Sequence, residues 1–192
     1  SARHLKSMFG LTRPGSPLTI AANLDDLERL AQSHTSKMSV SGAQQKLLCT
    51  LQNGKLVPDP KGEYIIKPSP AKLPYSSENE HFCMLLARRI NLEVADVSLV
   101  PFDSGELCFV IKRFDITPKG KLFIEDGCSL LQIHPRHKDA QSLSYESTLI
   151  KLYEASNYKK LCLLKGFKQL LFSFIVGNND LHLKNFSMYR SI

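Results

Sequence analysis

An apolar helical stretch that runs straight into a short polar loop constrains this chain more than any other feature. Lys168-Gln169-Leu170-Leu171-Phe172-Ser173-Phe174-Ile175-Val176 reads as a helix carrying its loop into the core, and Gly177-Asn178-Asn179-Asp180-Leu181-His182-Leu183-Lys184-Asn185-Phe186 follows at once. Asp180 precedes Asn185 by five residues, with Lys184 between them. That spacing suits phosphoryl transfer: the carboxylate accepts the proton of an attacking hydroxyl, the amide reaches a metal ion bridging nucleotide phosphates, and the ammonium offsets developing phosphate charge. These ten residues alone are equally compatible with an Asn/Asp-rich turn after a buried helix, because both residue types favour turns.

A chain of 192 residues with 43% hydrophobic content can build one large domain or two small lobes. No apolar run approaches the about 20 residues that span a bilayer, so no membrane association is expected. The polar start, Ser1-Ala2-Arg3-His4-Leu5-Lys6-Ser7, has no apolar segment of a signal peptide. It also lacks an initiator Met, so a start inside a longer gene product is expected. The five cysteines (Cys49, Cys83, Cys108, Cys128 and Cys162) are widely spaced and odd in number. They argue against a disulfide framework or zinc ribbon and for free thiols in a reducing cytoplasm. The net charge of +7 suits acidic partners such as ATP phosphates, nucleic acid or a tRNA-handling protein. An ordinary solvated surface accounts for it equally well. With no run of five basic residues and no Trp, a dedicated nucleic-acid reader is not favoured.

Residues 1–20 read as polar and irregular, broken by Gly10, Pro14, Gly15 and Pro17. Asn23 to Ala31 has the spacing of a short amphipathic helix. Ser39 to Leu51 reads as strand, tight turn and strand, and Asn53-Gly54 predicts a hairpin. Glu63 to Lys67 is a further strand, stopped by Pro68 and Pro70. A helix is expected over 78–90, and strands over 94–100 and 107–114. The polar stretch 115–144 shows little periodicity and reads as a long connection, and helices follow over 145–177. Strands first and helices after argue for an α+β fold.

Four further elements fit the same chemistry. Small residues in the turn from Ser39 to Lys46 let backbone N–H groups approach phosphates. The turn contains neither of the common glycine-rich phosphate motifs, and a plain hairpin is the simpler account. Lys67 closes the apolar strand Tyr64-Ile65-Ile66-Lys67, where an ammonium could hold phosphates or merely snorkel to solvent. Thirteen residues on, Glu80, with Glu78 as second choice, could pair with it or simply complement the helix dipole. Phe109-Val110-Ile111-Lys112-Arg113-Phe114-Asp115 could form an adenine-binding hinge with Phe114 on the base, or a plain strand end. His182 reads as a structural hydrogen-bonding residue rather than an acid–base group. His134 and His137 have no further metal ligands near in sequence. The order of these parts (phosphate turn, strand Lys, helix Glu, hinge strand, helices, Asp-x4-Asn loop) is that of a protein kinase.

Taken together, Ser39-Val40-Ser41-Gly42-Ala43-Gln44-Gln45-Lys46, Ile65-Ile66-Lys67, Asn79 to Ala87, Lys112-Arg113-Phe114-Asp115 and Asn179 to Phe186 resemble the HipA-like serine/threonine kinases. These are toxins of bacterial toxin–antitoxin systems. The resemblance runs from about residue 36 to 190 and is closest to the short HipT-type members. It implies an α+β, protein-kinase-like, two-lobed fold: an N-terminal segment over 1–38, a β-rich lobe over 39–114, the connection over 115–144, and the start of a helical lobe over 145–192. It implies a kinase, dependent on ATP and Mg2+, that phosphorylates an aminoacyl-tRNA synthetase. An antitoxin or accessory subunit of the HipB or HipS kind is implied as partner, with DNA contact only through the antitoxin. It assigns Asp180 and Lys184 to catalysis, Asn185 to the metal, and Ser41, Gly42, Ala43, Gln44, Lys46, Lys67, Glu80, Lys112 and Phe114 to ATP. Ser39 and Ser41 match autophosphorylation positions, where added negative charge would oppose nucleotide phosphates. The family's second metal-binding Asp would lie past Ile192, so the helical lobe is expected to be incomplete. That departure keeps open a catalytically inactive kinase fragment serving as a binding module. A basic nucleic-acid-binding protein is permitted by charge but supported by no motif.

Overall fold

The computed structural model describes residues 2–11, 18–21, 46–134, 136 and 144–190. The expected helix at 23–31, the turn residues Ser39, Ser41, Gly42, Ala43 and Gln44, and His137 lie outside the described residues. The chain divides into two units, Ser1–Arg89 with Glu93–Phe114, and Ile90–Leu92 with Asp115–Ile192.

The first unit is built on a sheet that starts from a local signal. Asn53 and Gly54 both take positive φ, 49° and 80°, the backbone that a two-residue hairpin demands. They join β2 (Leu47–Gln52) to β3 (Lys55–Pro58). With β1 (Thr19–Ile20), β4 (Tyr64–Pro68), β5 (Val97–Pro101) and β6 (Leu107–Lys112), these strands form a six-stranded sheet ordered β1-β3-β2-β4-β6-β5. Among the described strand pairings of this sheet β1–β3 is parallel and the other four are antiparallel. Ile20 also bridges to Phe102, just past β5. Along β4 burial alternates: Tyr64, Ile66 and Pro68 point into the core, and Ile65 and Lys67 point to the other face.

The N-terminal stretch, expected to be irregular, is instead the helix α1 (Ala2–Phe9). Met8 and Phe9 are buried, Phe9 stacks on Tyr64 with ring centroids 5.3 Å apart, and Tyr64 Oη donates to the Met8 carbonyl at 2.9 Å. Core burial at one end thus decides a segment whose local composition looks polar. Gly10, at φ 68°, then ends the helix.

Helix α2 (Ser76–Arg89) packs on β4, β5 and β6 and closes with Asn91 at φ 60°. Its Arg88 donates to the Ala95 carbonyl at 2.8 Å, and the Asp96 carbonyl accepts from Lys112 N at 2.8 Å. The strand β5 begins at Val97 rather than Val94.

In the second unit, the stretch read as an aperiodic connection carries regular elements. Strands β7 (Ile116–Thr117) and β8 (Gly120–Lys121) form a small hairpin, followed by β9 (Phe123–Asp126) and the short helix α3 (Gly127–Leu130). Asp126 caps α3 by accepting from Ser129 N at 3.0 Å. Strand β9 escapes a local reading because its antiparallel partner is β10 (Ser187–Arg190), with Ser187 opposite Asp126. Helices α4 (Tyr145–Ala155) and α5 (Lys160–Ile175) lie side by side. Ser144 caps α4 through Ser147 N. A Cβ at Gly166 would stand 2.8 Å from Leu149 Cδ2, so glycine permits the close approach of the two helices. No residue of α5 is fully buried, against the expectation of a helix running into the core. Leu161, Leu164, Phe167, Leu171 and Phe174 form an exposed stripe at helical spacing, with Phe174 83% exposed. No helix among the described residues is long and apolar enough to cross a membrane.

Candidate active site

Two groups of residues named from the sequence are assembled, one within each unit. In the first unit, Lys67 sits near the end of β4 and Glu80 lies one turn inside α2. Their side chains form an ion pair, 16% and 32% exposed respectively. The Lys67 ammonium also lies 5.7 Å from the centroid of the Phe109 ring, directly opposite it in register on β6. A cation over an aromatic face gains further electrostatic attraction. Backbone ties hold this geometry. Ser77 Oγ donates to the Lys67 carbonyl at 2.9 Å, and Ser69 Oγ accepts from Ser77 N at 3.0 Å. Strand end and helix start are thereby locked together.

Glu80, not Glu78, is the partner of Lys67; Glu78 Oε2 is buried without a hydrogen bond among the described residues. His81 meets the same Phe109 ring edge-on at 6.3 Å. Burial, with the nearby charges of His4 and Arg88, pushes its pKa below the usual histidine range, which favours a neutral ring. Lys112 stands opposite Tyr64, three register positions from Phe109, and its ammonium donates to the Ser7 carbonyl at 3.4 Å. The structure therefore does not gather Lys112 with the Lys67–Glu80 pair. Phe114 is 54% exposed at the end of the unit, and Lys46 directly precedes β2.

In the second unit, the loop after α5 is built by side chains that bond to its backbone. Asn178 Oδ1 accepts from Asp180 N at 3.1 Å, an Asx turn that sets Asp180 on an exposed corner. Asn185 Nδ2 donates to the Asp180 carbonyl, closing the five-residue interval. The intervening one-turn 3-10 helix, Leu183–Asn185, is tied by Asn185 N to the His182 carbonyl at 2.8 Å. Tyr145 Oη from α4 donates to the Leu181 carbonyl at 3.1 Å, and Gly127 N donates to the Phe186 carbonyl at 2.8 Å. A Cβ at Gly127 would lie 2.5 Å from the Leu183 carbonyl oxygen, so only glycine lets α3 seat against the turn. Leu183 and Phe186 are buried as anchors, whereas the Asp180 side chain is 86% exposed. Lys184 is half-buried on the same turn.

Because the Asn185 amide nitrogen is engaged, its Oδ1 is the atom left to face a cation. One neutral oxygen fits Mg2+ as part of a shell completed by phosphate oxygens and water, which that ion prefers. Among the described residues no three His, Cys, Asp or Glu side chains gather to hold a metal unaided. His134 accepts from Arg136 N at 3.2 Å and belongs to no such group. Beside the loop, a groove of about 480 Å³ is lined by Tyr145, Phe167, Leu171, Phe174, Asn178 and Leu181, among others.

Several contributors were not legible beforehand. Phe109 as a ring beneath Lys67, Ser77 as a tie and Gly127 as a close approach all depend on packing. Asn178 had a signal, because an Asn two residues before Asp180 is the pattern of an Asx turn.

A sheet unit with a strand-lysine to helix-glutamate pair, and a helical unit ending in a braced Asp-x4-Asn loop, define a kinase-like α+β fold. Residues 38–192 match the family model of the HipA-like C-terminal domain, and the chain belongs to that family. A protein of Haemophilus influenzae named "Putative kinase" is 30% identical over 161 residues, covering 78% of this chain and 47% of the relative. "Putative kinase Y4mE" of Sinorhizobium fredii is 31% identical over 169 residues, covering 83% and 40%. The chain thus spans less than half the length of these relatives. In fold it resembles the HipA chain of the Shewanella oneidensis HipA, HipB and operator DNA complex. There the TM-score is 0.65 at 21% identity, over 95% of this chain and 49% of that one.

Proposed function

We propose that this chain belongs to an ATP-dependent serine/threonine protein kinase of the HipT kind, working in the cytoplasm. The observation that supports it most is the Lys67–Glu80 ion pair, which holds an ammonium at a fixed point on the sheet unit. In this reading Lys67 binds nucleotide phosphates. Asp180 orients the hydroxyl of a Ser or Thr and accepts its proton as the oxygen bonds to the γ-phosphorus. The bond from that phosphorus to the bridging oxygen breaks, and ADP leaves. Lys184 offsets the charge spread over the transferred group. Asn185 would hold Mg2+, which when bound neutralises phosphate charge.

The substrate proposed is an aminoacyl-tRNA synthetase, whose phosphorylation would stall translation. Autophosphorylation at Ser39 or Ser41 would add charge to the phosphate turn and restrain activity. An antitoxin or accessory subunit of the HipB or HipS kind is the proposed partner, and the HipB in the complex of the structural relative supports the antitoxin.

One observation favours a second reading, a kinase-derived binding module without catalysis: the exposed apolar stripe of α5 is suited to docking. Intact-mass spectrometry of the full-length protein after incubation with MgATP separates the two. Added phosphate at Ser39 or Ser41 supports the kinase; an unchanged mass with tight antitoxin binding supports the module.

A further inference from the structure

His182 has no part in the chemistry set out above, yet its placement is specific. Its side chain is only 9% exposed, whereas that of Asp180, two residues before it, is 86% exposed. Its Nε2 lies 3.8 Å from Asp180 Oδ1. Its Nδ1 is buried with no hydrogen-bond partner among the described residues. The backbone around the ring is held on both sides, through Tyr145 to the Leu181 carbonyl and through Asn185 N to the His182 carbonyl.

The bonds to Asn178 and from Asn185 engage the Asp180 backbone N–H and carbonyl respectively. They fix the main chain and leave the carboxylate to be oriented by something else. A neutral imidazole has one N–H donor and one lone pair. A proton on Nδ1 would strand a donor in the interior, the costlier kind of orphan. It would also turn the Nε2 lone pair toward a carboxylate. A proton on Nε2 leaves only a lone pair inside and points the N–H at Asp180. Both terms select the same tautomer.

The structure assigns His182 as a positioning residue, whose Nε2–H orients the Asp180 carboxylate. At 3.8 Å the attraction is electrostatic. The contact shortens to a hydrogen bond when Asp180 turns to receive a hydroxyl proton, as catalytic contacts often tighten only in the working complex. One carboxylate oxygen is then held and the other is left for the substrate. This inference rests on the catalytic reading of Asp180.

The test is nitrogen-15 NMR of the full-length protein labelled at histidine, because the two neutral tautomers differ in their ring nitrogen shifts. The expected result is an Nε2–H tautomer for His182, with a resonance moved by Asp180→Asn while that of His81 stays in place. An Nδ1–H tautomer, or a His182 signal indifferent to Asp180→Asn, overturns the assignment. Kinetics supply the second arm. His182→Leu should lower kcat about 10–100-fold at unchanged KM for ATP. His182→Gln, whose amide nitrogen reaches the Nε2 position, should recover most of that loss. In an Asp180→Ala background His182→Leu should cost nothing further. A His182→Gln enzyme no better than His182→Leu, with both folded, counts against the assignment. The expected tautomer in a protein that transfers no phosphoryl group upholds the contact and defeats the kinase reading. Robust transfer with an Nδ1–H tautomer does the reverse.

Discussion

Lys67 and Glu80, thirteen residues apart, form an ion pair that ties the end of β4 to α2, with the Lys67 ammonium 5.7 Å from the centre of the Phe109 ring. A partly buried cation held from two sides is pre-organised, so little side-chain entropy remains to be lost when an anion approaches.

The first expectation concerns nucleotide affinity. Lys67→Ala should raise the Kd for MgATP at least about tenfold, equivalent to about 1.4 kcal/mol. Glu80→Gln should produce a smaller loss, because the ammonium remains but loses its anchor. Isothermal titration calorimetry on the full-length variants checks both. An unchanged Kd for Lys67→Ala removes that residue from the nucleotide site.

Gly127→Ala should damage the second unit selectively. The added methyl would lie 2.5 Å from the Leu183 carbonyl oxygen, well inside contact distance, and the obstacle is backbone rather than a flexible side chain. The turn carrying Lys184 and Asn185 must shift, at a cost of about 1–3 kcal/mol. Thermal melting should show the loss, and phosphoryl transfer should fall with it. A variant with unaltered melting and transfer would show that the close approach is dispensable.

The cysteines give a pH prediction. Burial, helped by Asp59, pushes the Cys49 thiol up to about 12, and burial likewise raises Cys108 to about 12. Both folded values lie above the ordinary thiol value of 9.0. The native state therefore holds protons that the unfolded chain releases between pH 9 and 12. This stability is fully present below about pH 9 and is lost as pH rises toward 12. Iodoacetamide at pH 8 should modify the half-buried Cys83 and Cys162 first, and reach Cys49 and Cys108 only on unfolding. Fast labelling of Cys49 in the folded protein would contradict this.

Local signals explain what could be read in advance. Asn53-Gly54 carries its turn chemistry in two residues, and the apolar run ending at Lys67 is bounded by Pro68 and Pro70 as a strand would be. Glu80 follows at a spacing that lets a helix return to that strand. Long-range pairing hid the rest. Strand β9 exists because Ser187–Arg190 runs back alongside it, and no periodicity within 115–144 announces a partner so distant. Helix α1 forms because Met8 and Phe9 find the sheet core, which polar composition conceals. In the candidate site, Asp180 and Asn185 were legible from spacing. The burial of His182 and the close seat of Gly127 arise from packing and leave no local mark.

The most direct measurement is single-turnover phosphoryl transfer from labelled ATP by the full-length protein and its Asp180→Ala variant, at matched protein and MgATP concentrations. The account predicts transfer by the first and a loss of at least about a thousandfold in the second, with ATP affinity retained. Equal rates in the two proteins, or no transfer by either, would contradict it.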